Sequence, residues 1–483
     1  MAAARTVTEN PKLWLIPLVG LGFVSLTGAL SNSSPDLPAT AELQALNAGD
    51  TAWMLTATAL VLLMTPGLSF FYGGMVDRKN VLSTMLQSFI AMGLVSLVWV
   101  TVGFSLAFGD SLGGLIGDPR TFIMFRAVGE APHPTLSPTI PLALFALFQL
   151  KFAIITPALI TGAFAGRVRF SSYMVFVCLF SIFIYCPLAH WTWHPQGFLR
   201  QWGVLDFAGG TVVHMTGGLA ALAGALFLGP RTAHKQTPQL PAHIPYVLLG
   251  TGMLWFGWFG FNAGSALAAN GLAARAFLTT NTASAAAMLA WLFFDCARGR
   301  KPSALGACIG AVVGLVAITP AAGFVSVGAS VFIGCVASVV SNVAVHLRAK
   351  SSIDDTLDVF PCHGVGGIIG MILTAVFADK VGLIYGETET FIHHIYALGI
   401  VTAFVLIGSY GLYVICDRSI PVRVSDAEED LGLDLSQHGE SLDDLGAASL
   451  KQGEPTPKYL GTSVDATFAR EIFSVGHILR TGG

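Results

Sequence analysis

The chain has 483 residues, of which 54% are hydrophobic and only 11% charged, with a formal net charge of −3. Soluble domains carry roughly 25% charged residues because water-facing surface needs them, so this composition excludes an ordinary water-soluble fold and points to a bilayer. The small net charge gives no basis for a nucleic-acid partner, and the 54 Gly and 23 Pro suit closely packed membrane helices. The seven cysteines (Cys178, Cys186, Cys296, Cys308, Cys335, Cys362 and Cys416) include no CxxC spacing, so they read as small core residues and no disulfide framework, metal site or cofactor is expected.

A bilayer core about 30 Å thick takes about 20 mostly apolar residues per helix. On that measure an all-α polytopic membrane protein is predicted, with eleven spans at 51–74, 81–108, 140–165, 173–192, 208–228, 244–264, 276–296, 303–319, 324–347, 362–378 and 395–416. A further apolar run, 13–30, follows Arg5 and Lys12 and precedes the polar stretch Ser31 to Ser34. It reads as a signal peptide or as an extra N-terminal helix. Alternate loops carry the basic residues: Arg78 and Lys79, Arg167 and Arg169, Arg231 and Lys235, Arg298, Arg300 and Lys301, Arg348 and Lys350, then Arg418 and Arg423. The positive-inside rule assigns these loops to the cytoplasm, which puts the mature N-terminus outside and the C-terminus inside, as eleven spans require. Residues 1–44 are thus expected to be a signal peptide or extra N-terminal helix with a polar linker, 45–416 a transmembrane domain, and 417–483 a cytosolic regulatory tail rich in acidic residues.

Two segments echo each other. The fifth span reads GGTVVHMTGG and the tenth PCHGVGGIIG, so each contains His-x-x-Gly-Gly, with Asp206 upstream of His214 and Asp358 upstream of His363. The third and eighth spans both carry Ile-Thr-Pro, at Ile155 to Pro157 and Ile318 to Pro320. Matches five helices apart suggest two five-helix halves, which an odd helix number forces to be inverted; such repeats build transport sites at their interface.

Among the few ionisable residues within spans, His214, His363 and Lys151 stand out, with Asp206 and Asp295 near helix ends. Such groups are costly in lipid and are functional candidates by default. At repeat-related positions the two imidazoles could meet and share a proton. The plain alternative is that each histidine simply bonds a backbone carbonyl in the core, and a metal site would need a third ligand, for which only Cys362 lies nearby. A second constellation is aromatic. Phe148 and Phe152, Trp193, and the run Trp258, Phe261 and Ser265 all fall towards the outer face. Aromatic faces attract a desolvated cation by about 2 kcal/mol or more, and a serine hydroxyl accepts its hydrogen bond. An interfacial aromatic belt is the alternative.

At WFGFNAGSA (258–266), LDFAGGTVVH (205–214) and DVFPCHGVGG (358–367) the chain resembles the ammonium transporter family (Amt/Mep/Rh), in its Amt branch. FFYGGMVDRKN in the first loop, ITPALITGAF in the third span, and Gly432-Leu433-Asp434 followed by His438-Gly439-Glu440 support the resemblance. It covers residues 45–440. The resemblance implies a homotrimer in the cell membrane with one pore per subunit and ammonium or ammonia as the transported substrate. It further implies an outer recruitment site of Phe152, Trp193 and Ser265, with Trp258 lining the same region and Asp206 as a supporting carboxylate. Phe148 and Phe261 would be a stacked gate, and His214 with His363 a twin-histidine pair that conducts ammonia and relays a proton. A PII-type regulatory protein is the partner that the cytosolic face of many prokaryotic relatives takes. Two departures stand out. Lys151 adjoins Phe152 where many relatives are neutral, and neighbours about 100° apart on a helix leave it free to point away from the pore. Gly166 stands where many relatives carry Glu, which puts in doubt a loop-to-tail contact through a carboxylate there. Rival readings are an ammonium sensor with little transport and a gas channel of the Rh type; an enzyme is disfavoured for want of a convergent catalytic cluster.

Overall fold

The computed structural model describes residues 15–30, 45–234 and 240–442. The run predicted at 13–30 forms a helix over Leu15–Leu30, most of whose residues are exposed. The body follows as α1 (Ala48–Met75), α2 (Arg78–Phe108), α3 (Leu142–Ala163), α4 (Phe170–Gln201), α5 (Gly210–Leu228), α6 (Ile244–Gly264), α7 (Gly271–Ala297), α8 (Ala304–Ile318), α9 (Val327–Lys350), α10 (Phe360–Phe377) and α11 (Glu389–Ser419). Every predicted span has its helix. Among the described residues ten are long and apolar enough to cross a membrane. The exception is α8, whose 15 residues cover about 22 Å at 1.5 Å each. Two small antiparallel hairpins, β1 (Ser111–Leu112) with β2 (Ile116–Gly117) and β3 (Pro132–His133) with β4 (Ser137–Pro141), fill the connection from α2 to α3.

Lipid gives helices no hydrophobic reason to associate, so close backbone approach through small residues does that work. Along the α1–α6 seam, a Cβ at Gly250 would lie 2.4 Å from the Phe71 nitrogen and one at Gly257 2.3 Å from Met64. The two His-x-x-Gly-Gly segments use the same device on each other. A Cβ at Gly218 of α5 would fall 2.1 Å from the Gly364 nitrogen and 3.0 Å from the His363 carbonyl carbon, and one at Gly367 of α10 would fall 3.2 Å from the His214 Cβ. Each half's second glycine thus admits the other half's histidine.

Both helices also begin alike. α5 and α10 open with a wide π-helical turn, Gly210–Met215 and Phe360–Val365, containing His214 and His363. Asp206, eight residues before His214, accepts hydrogen bonds from the Gly209, Gly210 and Thr211 nitrogens at 2.6–2.8 Å. Asp355, eight residues before His363, accepts from the Val359 and Phe360 nitrogens at 3.0 and 2.7 Å. The repeat partner of Asp206 is therefore Asp355; Asp358 instead adopts φ +58° and pairs with Arg348.

Past α11 the chain returns along the loop between α3 and α4. Arg169 donates its backbone N–H to Val422 and Val424 donates to Arg167. A short helix, α12 (Asp426–Leu431), starts with a capping box between Ser425 and Glu428. Glu428 also pairs with Arg169 at 3.2 Å; burial pushes its carboxyl up, but the hydrogen bonds from Ser425, and after them the Arg169 charge, outweigh that and hold it below the usual range. Asp434 caps the start of α2, accepting from Leu82 and Ser83 at 3.0 and 2.8 Å. The loop joins the tail without any carboxylate at position 166, where Gly166 has φ +85°. Residues 443–483 lie outside the described residues.

Replacing Gly218 with Ala should wedge α5 from α10. The expected result is a lower thermal midpoint, equivalent to about 1–3 kcal/mol or more of overpacking, whereas Gly411→Ala, with open space around it, should leave it unchanged. Equal midpoints for the two variants would show that the helices do not need this contact.

Candidate functional site

Three cavities line up along the bundle. At the end away from the tail is an upper vestibule of about 500 Å³, lined by Phe152, Trp193, Asp206 and Ser265 among others. Midway lies a lumen of about 10 Å³ bounded by Trp258, Phe261, His214, His363 and aliphatic side chains, room for about one water-sized molecule. At the tail end a polar lower vestibule of about 390 Å³ includes Lys79, Arg231, Arg348, Asp358 and the tail's Glu429.

Phe152 faces the upper vestibule and Phe261 the lumen, and their rings overlap with centroids 4.2 Å apart and planes tilted by 35°. This pair separates the two spaces. The stack expected between Phe148 and Phe261 is therefore made by Phe152 in place of Phe148. The physical reason is helix geometry. Phe145, Gln149 and Phe152, spaced four and three apart, share the vestibule face of α3, while Phe148 turns aside, meets Phe152 edge-on at 4.9 Å and fills the space over Gly264. Lys151 lies a further step round the helix, lines neither the vestibule nor the lumen, and is half-buried.

In the vestibule Trp193 stands edge-on to Phe152 at 5.6 Å and its indole N–H donates to the Asp206 carbonyl at 3.1 Å. Ser265 donates to the Phe261 carbonyl at 2.9 Å, which leaves its oxygen lone pairs as acceptors. The Asp206 carboxylate is 7% exposed and also accepts from the Thr211 hydroxyl at 2.5 Å. Its two oxygens thus accept four hydrogen bonds from the helix start. Trp258, expected beside the recruitment residues, sits lower: its ring stacks 5.3 Å from His214 and it lines the lumen only.

His214 and His363 face each other with Nδ1 atoms 3.4 Å apart, both buried. His214 Nε2 lies 3.2 Å from the Thr319 hydroxyl, which also receives the Trp258 N–H at 2.9 Å. Thr319 went unnoticed as a site residue, although the Ile-Thr-Pro echo contained it. Three other buried histidines among the described residues serve their surroundings: His194 accepts from the Gln196 N–H at 3.1 Å and stacks on His190. His190 bonds Ser111 and the Ala107 carbonyl, and His394 bonds the Leu205 N–H and the Met371 carbonyl. Nothing in their spacing could have separated them from His214 and His363 except the flanking Gly-Gly.

In the lower vestibule burial pushes the Asp358 carboxyl up to about 7, although the Arg348 guanidinium 2.7 Å away pulls the other way.

Ten helices among the described residues that are long and apolar enough to cross a bilayer define a multi-pass membrane protein. The chain belongs to the ammonium transporter family: residues 52–442 match the Ammonium Transporter Family. It is 47% identical over 406 residues to a putative ammonium transporter of Methanothermobacter thermautotrophicus, covering 82% of this chain and 98% of that one. Among solved structures it resembles Mep2 of Saccharomyces cerevisiae, with a TM-score of 0.75 at 36% identity over 79% of this chain and 88% of that one. It also resembles a protein named Sensor Amt Protein, with a TM-score of 0.75 at 30% identity over 81% and 98%.

Two outcomes test the electrostatics. Asp206→Asn puts an N–H₂ group where donors already point, so at least one of them loses its acceptor. The thermal midpoint should fall, by the equivalent of about 1–3 kcal/mol, and an unchanged midpoint would mean that the carboxylate does not hold the turn. Asp358 has a folded pKa above its unfolded one. Its contribution is therefore fully present below about pH 4 and lost as pH rises through about 7. The midpoint of the natural protein should fall more steeply between pH 5 and pH 7 than that of Asp358→Asn, a substitution that tolerates the positive φ; parallel curves would contradict the assignment.

Proposed function

We propose that this protein carries ammonium across the cell membrane by recruiting the cation at the outer vestibule, removing its proton, and passing ammonia through the apolar lumen while the histidine pair relays the proton. Trp193, Phe152 and Ser265 form the recruitment site, with Asp206 holding the helix start beneath it. The stacked Phe152 and Phe261 are the gate, Phe148 buttresses it, and His214 and His363 are the polar centre of the pore, with Trp258 stacked on one of them. The observation that carries this reading is the pair of buried imidazoles in contact inside an otherwise apolar lumen.

Ammonium and potassium match in size and charge, so bare attraction cannot tell them apart. Ammonium can donate hydrogen bonds and surrender a proton; potassium can do neither. A lumen too small and apolar to hydrate a full charge excludes the ion that must stay charged, while imidazole, which titrates near neutral pH, supports a proton path beside the neutral molecule. In this reading the upper vestibule is external, residues 45–416 are the transport domain, and residues 417–483 form a cytosolic regulatory tail. The protein works as a homotrimer, and a PII-type protein is the candidate partner at the tail side.

A second reading, ammonium sensing with little transport, draws on the likeness to Sensor Amt Protein. Current and ammonium-analogue uptake in proteoliposomes separate the two. The natural chain should give a saturable, potassium-insensitive current that His214→Ala with His363→Ala abolishes or makes potassium-sensitive. Uptake without current would sink the proton relay and favour a gas channel. Ammonium binding with no flux at all would favour the sensor.

A further inference from the structure

The two histidines stand at equivalent places in the two halves, yet their surroundings differ in one respect that decides where their protons sit. Thr319, of the second Ile-Thr-Pro segment, has three polar neighbours. Its hydroxyl lies 2.7 Å from the Leu315 carbonyl, 2.9 Å from the Trp258 indole nitrogen and 3.2 Å from His214 Nε2. A hydroxyl has one hydrogen and two lone pairs. The carbonyl can only accept, so the hydrogen goes to Leu315. The indole can only donate, so it takes one lone pair. The remaining lone pair faces His214 Nε2, which must therefore carry a hydrogen. Its repeat counterpart, Thr156, donates to the Phe152 carbonyl at 2.8 Å, and no hydrogen bond joins it to His363.

We propose that Thr319 is a positioning residue that sets the tautomers of the histidine pair and so polarises it in one direction. A neutral imidazole has a single N–H. With that hydrogen on Nε2, His214 Nδ1 is a bare acceptor, and the His363 Nδ1 facing it at 3.4 Å is the donor. His363 Nε2 is then the one ring nitrogen of the neutral pair that neither carries nor accepts a hydrogen, and so the site at which a proton is first taken up. A proton added there makes His363 the imidazolium. Passing its Nδ1 hydrogen to His214 leaves His363 neutral as the Nε2–H form and makes His214 the cation, with Nε2–H still on Thr319; no atom or electron is left over. The pseudo-twofold pair is thereby chemically unsymmetrical, with one member anchored and the other reactive. This inference rests on the twin-histidine reading only for its transport consequence; the tautomers themselves are independent of it.

The test is nitrogen-15 magnetic resonance of histidine-labelled full-length protein in lipid bilayers, at a pH where both rings are neutral, with His214→Gln and His363→Gln used only to assign signals. The natural chain should show His214 as the Nε2–H form and His363 as the Nδ1–H form. Thr319→Val keeps the shape but removes the hydroxyl, and should shift the His214 tautomer ratio roughly three- to tenfold towards Nδ1–H, as loss of one buried hydrogen bond would. Thr319→Ser should restore the natural ratio. If Thr319→Val does not fold, Trp258→Phe, which leaves the hydroxyl and its bond to Leu315 in place, should preserve both tautomers. His214 found as the Nδ1–H form in the natural chain, or a ratio unmoved by Thr319→Val, overturns the proposal. Tautomers as stated together with flux that ignores loss of both histidines would leave it standing and remove the pore reading instead.

Discussion

Two imidazoles in contact inside an apolar lumen are the constraint to which the rest of the structure answers. They can meet only if the backbones of α5 and α10 approach closer than side chains normally permit, and Gly218 against Gly364 and Gly367 against His214 provide that approach. The wide turns that open both helices re-aim the histidines inward, and each turn leaves N–H groups that a buried carboxylate, Asp206 or Asp355, takes up. Negative charge at a helix start also complements the helix dipole. Glycines, turns and aspartates form one device, used twice in opposite orientation.

Much of this was legible in the sequence because the bilayer leaves few solutions. Apolar length set the spans, and alternate basic loops agreed with their number. The repeated His-x-x-Gly-Gly pattern singled out His214 and His363; His190 and His394, equally buried, carry no such flank. What the residues withheld was rotational detail. Phe148 and Phe152 are four apart and equally aromatic, and only the rotation of α3 about its axis, set by packing on Gly264, decides which one stacks on Phe261. Asp355 hid behind Asp358 because both precede His363 and only the hydrogen bonds reveal which one closes the turn. Thr319 was hidden for the opposite reason: a threonine in an apolar helix usually bonds its own turn, and this one does so while also serving two partners from other elements.

The ends of the bundle divide the polar work. The upper vestibule gathers aromatic rings and a hydroxyl oxygen, with Asp206 and Arg200 at its wall. The lower one gathers full charges, including Glu429 from the tail, so the segment after α11 forms part of the wall of the cavity below the lumen. Its anchors, the Arg169–Glu428 pair and the Asp434 cap on α2, tie that wall to the loop between α3 and α4 and to the start of α2.

The narrowness of the lumen also bears on the osmotic life of a cell. A space of about 10 Å³ between apolar walls holds no continuous file of water. On the proposed transport path, a solute crossing it would leave its hydration behind and travel without solvent, and a difference in osmotic pressure across the bilayer would have no liquid column here on which to push. In the proposed reading, nitrogen uptake and volume regulation are thereby uncoupled by the bore of the lumen.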